Sequence, residues 1–201
     1  MLRMLMLHAE AEAIFGGMRA IMYGGSPMPE AWVQELHLRW PHLKLVHAYG
    51  LSEFTSVCTF LPSDLAATKA ESVGRPLPGV ELRIVDESGE DVEPGGLGEV
   101  WVAGPTRMLG YWDEPRLTSE KMPGKWLRTG DIGRLDDDGL LWLHGRADDV
   151  INRGGEKIMP SFVESHIARH EKVAAACAFG YPDEILQQRV AAAVETRPGA
   201  A

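Results

Sequence analysis

Cysteine is scarce in this sequence. The two present, Cys58 and Cys177, lie far apart, and no C-x-x-C or Cys/His metal spacing accompanies them. That excludes a disulfide framework and a thiolate zinc site, and leaves two buried free thiols in a reducing compartment as the expectation. Basic residues are also in short supply: 20 Lys and Arg face 29 Asp and Glu, a formal net charge of -9. Without a basic surplus there is little to displace counterions from a phosphate backbone, so no nucleic-acid partner is expected. A small anion needs only a local site and stays open. No apolar run reaches the length of a transmembrane helix. Residues 1–13 have the basic residue, apolar run and A-x-A pattern of a signal peptide. The apolar run at 4–7 is too short for that role, and Glu10 and Glu12 break up the stretch after it. A helical stretch, and a cytoplasmic protein, are expected instead.

The 201 residues suit one large domain, or one domain and a piece of another. Residues 28–40 read as a helix, with Pro29 in its first turn and Trp32, Leu36 and Trp40 at helical spacing; Pro41 stops it. Residues 19–25 and 43–49 read as strands. From Gly74 the texture changes to short strands and tight turns, including 80–86 and 98–104. Residues 125–146 read as strand, turn, strand, turn, strand, with Asp136, Asp137, Asp138 and Gly139 forming a hairpin turn. After Ile158 a helix at 160–170 precedes strands at 173–183 and 188–197. A helix and two strands with one apolar face cannot bury that face alone.

Three stretches carry candidate chemistry. In "YGGSPMP" (23–29) a strand ends in two glycines before a helix, a joint that brings backbone N–H groups close to a ligand; a plain strand-to-helix turn explains it equally well. In "HAYGLSEFT" (47–55) a strand delivers Tyr49, Gly50, Ser52 and Glu53 to one loop. There a ring can stack on a base, a hydroxyl can donate to phosphate and a carboxylate can hold Mg²⁺; a polar loop with a half-buried Tyr is the alternative. In "RTGD" (128–131) Asp131 can take two hydrogen bonds from vicinal hydroxyls, or cap its own backbone. Arg146 comes fifteen residues later and can reach a sugar or a phosphate oxygen.

Together with "GRPLPG", "GEVWVAG", "GYW", "GRADD" and "GGEKI", the order and spacing of these stretches resemble the adenylate-forming superfamily. That family includes acyl- and aryl-CoA synthetases, luciferases and the adenylation domains of peptide synthetases. The resemblance runs from about Arg19 onward. It implies a mixed α/β fold: residues 1–147 as the C-terminal portion of the AMP-binding large domain, with a β-rich subdomain at about 74–147. Residues 148–201 would be the hinge and the truncated start of a small α+β C-terminal domain.

By the same resemblance the reaction is ATP-dependent activation of a carboxylic acid to an acyl-adenylate, and then thioester formation with CoA or with a carrier-protein pantetheine thiol. Gly24, Gly25, Ser26 and Pro27 would line the adenine side, Tyr49 would stack on adenine beside Gly50, and Ser52 would contact the α-phosphate. Glu53 would hold Mg²⁺. Asp131 would bind the ribose, Arg146 the ribose and phosphate, and Leu143 would lie beside the nucleotide. Ser52, Glu53 and Arg146 are thus the expected catalytic groups. His47 either touches the acyl substrate or simply packs in its strand. Asp148 matches the hinge, and Gly154 and Gly155 the loop along the CoA channel, where a hairpin turn is the alternative.

Two features of the resemblance are absent from the 201 residues: the Ser/Thr/Gly-rich phosphate loop ending in Pro-Lys-Gly, and the family's late catalytic lysine, whose place Lys157 does not occupy. The chain is therefore expected to be inactive alone. It would act as part of an acyl-CoA synthetase, or as one half of a split enzyme with a complementing N-terminal fragment. A non-catalytic AMP-binding module and a structural remnant are the alternatives.

Overall fold

The computed structural model describes residues 1–25, 28–197 and 199. Two compact units emerge. One comprises Met1–Thr129 with Arg134–Trp142, the other Gly130–Gly133 with Leu143–Ala201. No helix among the described residues is long and apolar enough to cross a membrane.

The first unit opens with two short helices, α1 (Leu2–Met6) and α2 (Ala11–Gly16), where the sequence suggested one helical stretch. The break falls at His8, whose ring Nδ1 accepts the Glu10 amide and so competes with helical pairing. Strand β1 (Ala20–Gly24), helix α3 (Glu30–Arg39) and strand β2 (Lys44–Tyr49) then form a parallel unit, with Ala20 opposite Lys44 and Gly24 opposite Ala48. The apolar spacing of α3 does its expected work: Val33, Leu36 and Trp40 are buried with Met6, Phe15, Leu43 and Leu45 in one core. The Phe15 and Trp40 rings lie 4.3 Å apart. Trp32 stays half-buried, under the Arg3 guanidinium.

Beyond β2 come β3 (Thr59–Leu61), β4 (Ser72–Pro76), β5 (Glu81–Val85), β6 (Gly98–Ala103), helix α4 (Pro115–Lys121), β7 (Leu127–Leu135) and β8 (Leu141–Arg146). They complete a sheet of order β1-β2-β3-β4-β8-β7-β6-β5. Asp136 closes the β7–β8 turn as expected, its carboxylate accepting the amides of Asp138 and Leu140. One expectation fails. The turn anticipated within residues 125–135 does not form, because Gly130 takes φ +72° and β7 continues through it for nine residues.

His47 is packed within its strand. It is buried on β2, its Nδ1 sits 2.9 Å from the Ser72 carbonyl oxygen, and its ring stacks on Tyr23 at 4.7 Å. A carbonyl only accepts, so Nδ1 carries the proton. Burial pushes the His47 pKa below its ordinary value, while the Ser72 carbonyl partly offsets this.

In the second unit β9 (Ile151–Arg153), β10 (Glu156–Ile158), β11 (Val173–Asp183) and β12 (Gln187–Thr196) form an antiparallel sheet of order β10-β9-β12-β11. Helix α5 (Pro160–Ile167), with Pro160 at its start, packs on β11, and Glu164 accepts the Ala178 amide at 2.8 Å. Ile151, Val173 and Ala178 are buried, but Phe162, Tyr181 and Ile185 keep more than half their area exposed. Cys58 is buried as expected; Cys177 is not. The run at 173–179 is apolar on both sides of its strand, so composition could not show that Cys177 points outward while Ala178 points in.

This packing generates two predictions. A Cβ on Gly74 would lie 1.8 Å from the Phe60 carbonyl oxygen, at φ +85°. Gly74→Ala should therefore lower unfolding free energy by at least about 2 kcal/mol in urea titrations. For His47, the unfolded state takes up a proton near pH 6.5 and the folded state only lower. Stability should therefore be fullest well above pH 6.5 and fall as the pH drops through the ordinary histidine range, where the unfolded chain takes up a proton that folded His47 does not. That fall should shrink in His47→Gln when the urea midpoint is tracked against pH.

Candidate functional site

The C-terminal ends of the parallel strands β1 and β2 line a cleft. Its volume is about 480 Å³, and its walls are residues 22–25 at the end of β1, 48–52 at the end of β2, and Ser56 with Val57. A crevice beyond the carboxyl ends of parallel strands is where ligands of open α/β sheets sit. Of the sequence-derived candidates, Gly24, Gly25, Tyr49, Gly50 and Ser52 all line this cleft. Ser26 and Pro27 lie outside the described residues.

Three glycines explain why the walls can come together. A Cβ on Gly24 would lie 2.1 Å from the Ala48 carbonyl oxygen, so only glycine lets β1 end this close to β2. A Cβ on Gly50 would lie 1.5 Å from the Ser56 carbonyl oxygen, so only glycine lets the loop fold back at once. Gly25, at φ +82°, has open space where its Cβ would be, and its backbone faces the cleft unshielded. The return of the loop is strained: Thr55 and Ser56 both hold positive φ, at 52° and 87°, without being glycine. Strain of this kind gathers at ligand sites, and no sequence motif announced it.

Tyr49 is 9% exposed, so its ring is a fixed wall. Tyr23 lines the same cleft, with its phenol pushed up to about 12 by burial. Ser52 and Glu53 form a single 3₁₀ turn, Ser52–Phe54, anchored by the fully buried Phe54. Ser52 is exposed. Glu53 is half-buried, and one carboxylate oxygen accepts the Tyr111 hydroxyl at 3.1 Å. Among the described residues no cluster of three or more His, Cys, Asp or Glu could hold a metal alone. A single carboxylate matches the way Mg²⁺ is usually held, with one or two protein oxygens and the rest from phosphate and water.

The second unit holds the other candidates. Asp131 and Arg146 form an ion pair of 3.0 Å, with the Asp131 side chain largely shielded and that of Arg146 half exposed. Gly130 makes room for it: a Cβ there would lie 2.8 Å from Arg146 Nη2. The aspartate therefore sits inside strand β7 and faces a guanidinium. Leu143 is half-buried on β8. Asp148 is exposed in a single 3₁₀ turn, Ala147–Asp149, that joins β8 to β9. Gly154 and Gly155 are the two central residues of the β9–β10 hairpin, at φ +62° and +95°, which is the conformation a two-residue type I′ turn demands.

Sequence reasoning missed Tyr111. It lies within the "GYW" stretch, but nothing in that tripeptide indicates that its hydroxyl reaches a carboxylate fifty-eight positions away.

The family described as AMP-binding enzyme matches residues 1–112. A fatty acid–[acyl-carrier-protein] ligase, ScoC of Streptomyces coeruleorubidus, is 35% identical over 203 residues, covering 99% of this chain and 39% of that protein. Among solved structures, the amide bond synthetase McbA of Marinactinospora thermotolerans shares 36% identity at a TM-score of 0.86, over 98% of this chain and 40% of its own. The o-succinylbenzoate CoA synthetase MenE of Bacillus subtilis, in complex with its acyl-adenylate intermediate, shares 31% identity at a TM-score of 0.82, over 92% of this chain and 37% of its own. The chain thus spans about two fifths of the length of these relatives. The family match covers more than half of the chain, and the chain belongs to the AMP-binding enzyme family, within the adenylate-forming superfamily.

Proposed function

We propose that this chain supplies the nucleotide cradle of an ATP-dependent, AMP-forming acid–thiol ligase. The observation that carries the reading is the cleft in which Gly24, Gly25, Tyr49, Gly50 and Ser52 meet. Its volume lies in the usual range for small-molecule sites. Its walls combine a fixed aromatic ring, unshielded glycine backbone and a hydroxyl, which suits an adenine base and a phosphate.

In the proposed reaction a carboxylate oxygen attacks the α-phosphorus of ATP. Pyrophosphate leaves, and the acyl-adenylate remains. A thiol then attacks the acyl carbon, the thioester forms and AMP departs. Tyr49 holds the base, and Ser52 donates to the α-phosphate oxygens where negative charge builds. Glu53 would hold Mg²⁺, which when bound neutralises charge on those oxygens. Asp131 takes the ribose hydroxyls and Arg146 supports ribose and phosphate, with Leu143 beside them. The Gly130 notch that seats Arg146 on Asp131 supports treating the two as one device. Asp148 is the pivot between a domain of residues 1–147 and one of 148–201; its place in an exposed one-turn connector supports that role. The Gly154–Gly155 hairpin tip borders the channel of the CoA or carrier-protein pantetheine thiol. None of these residues needs to become covalently modified. The acid itself, fatty or aromatic, is selected by parts of the pocket that these residues do not define.

The 201-residue chain is proposed to bind AMP without turning over. Isothermal titration should show AMP binding that weakens at least about tenfold in Asp131→Ala, the loss of a charged hydrogen-bonding group. The same chain should give no ATP–pyrophosphate exchange with a panel of carboxylic acids. Robust exchange would show that the chain already holds every group the adenylation step requires.

A further inference from the structure

Glu53 is not simply displayed on its turn. A strap of chain, residues 104–111, is fastened across it. The Met108 amide donates to the Glu53 carbonyl oxygen at 2.8 Å, and Thr55 Oγ1 donates to the Thr106 carbonyl oxygen at 2.8 Å. The Tyr111 hydroxyl donates to Glu53 Oε1 at 3.1 Å. Further contacts fix the strap independently. Arg107 donates to the carbonyl oxygens of Gly124 and Trp126, at 2.8 and 3.3 Å. The Tyr111 amide donates to Thr118 Oγ1, at 2.9 Å, on α4. Gly110 permits this last contact, since a Cβ there would lie 2.8 Å from Thr118 Cγ2. At the other end Gly104 leaves room for Phe54, the buried anchor of the Glu53 turn; a Cβ there would lie 3.1 Å from the Phe54 ring.

The orientation of Tyr111 is not explained by apolar burial. Its neighbours Leu109 and Trp112 stand essentially fully exposed, at 101% and 96%, while Tyr111 turns inward to a carboxylate. The partner is also of a particular kind. A guanidinium or ammonium on Glu53 would cancel the charge that a cation needs. A phenol holds one carboxylate oxygen through a neutral donor and leaves the charge in place.

We propose that Tyr111 is a positioning residue for Glu53: its hydroxyl pins Oε1 so that Oε2 is presented to a divalent cation carried by the nucleotide phosphates. This rests on the reading of Glu53 as the Mg²⁺ ligand, and the test separates the two. The affinity of the chain for ATP is measured by isothermal titration in Mg²⁺ and in EDTA, and the ratio of the two dissociation constants gives the metal's contribution. Wild type should gain affinity from Mg²⁺, and Glu53→Gln should lose that gain. Tyr111→Phe, which keeps the ring and removes only the hydroxyl, should lose about fivefold of it, on the scale of one hydrogen bond. Its affinity in EDTA and its thermal midpoint should stay at wild-type values. Full retention of the gain in Tyr111→Phe, with loss in Glu53→Gln, would overturn the role of Tyr111 and leave Glu53 standing. Equal weakening of Tyr111→Phe with and without Mg²⁺, together with a lowered midpoint, would reduce Tyr111 to a packing residue. Absence of any Mg²⁺ gain in wild type would remove the Glu53 reading and this proposal together.

Discussion

The close approach of backbone at Gly24 and Gly50 is the constraint on which the candidate site depends. At Gly24 the end of β1 runs so near the Ala48 carbonyl that any side chain would collide with it, and at Gly50 the loop after β2 turns back onto the Ser56 carbonyl. These two absent side chains let two strand ends and a returning loop enclose one cleft. The energetic cost is visible next door, in the positive φ of Thr55 and Ser56. The α1–α3 layer matters to the site because it holds β1 and β2 in register, through a core centred on Phe15, Leu36 and Trp40.

The second unit repeats the device with a different purpose. Gly130 gives up its side chain so that the Arg146 guanidinium can lie against the strand and meet Asp131. In the first unit missing side chains open a space; here one admits a charged partner. The β9–β10 hairpin uses glycine for a third reason, positive φ at a two-residue turn. A motif rich in glycine therefore carries three separate physical demands, which only coordinates distinguish.

Much of the secondary structure was legible from periodicity. The α3 stripe, the β1 and β2 strands, the Asp136 turn and the paired β11 and β12 strands are all explained by apolar spacing and turn chemistry. The failures have physical causes. Gly130 reads as a turn residue, yet a glycine at positive φ can sit inside a strand, so β7 runs on. Cys177 reads as buried because its whole strand is apolar, and composition carries no facing information when both faces are alike. The nucleotide-site candidates were legible through motif resemblance, and the cleft gathers five of them, Gly24, Gly25, Tyr49, Gly50 and Ser52. Tyr111 was not legible, because a hydrogen bond between residues distant in sequence leaves no local pattern.

The central claim is that the strand-end cleft is the seat of an adenine nucleotide. The most direct measurement is an amide-resolved NMR titration of the chain with AMP. The account predicts saturable shifts concentrated at Gly24, Gly25, Tyr49, Gly50, Leu51 and Ser52, all lost or weakened together in Tyr49→Ala. Saturable AMP binding whose shifts fall elsewhere on the chain, with these six amides unmoved, would contradict it.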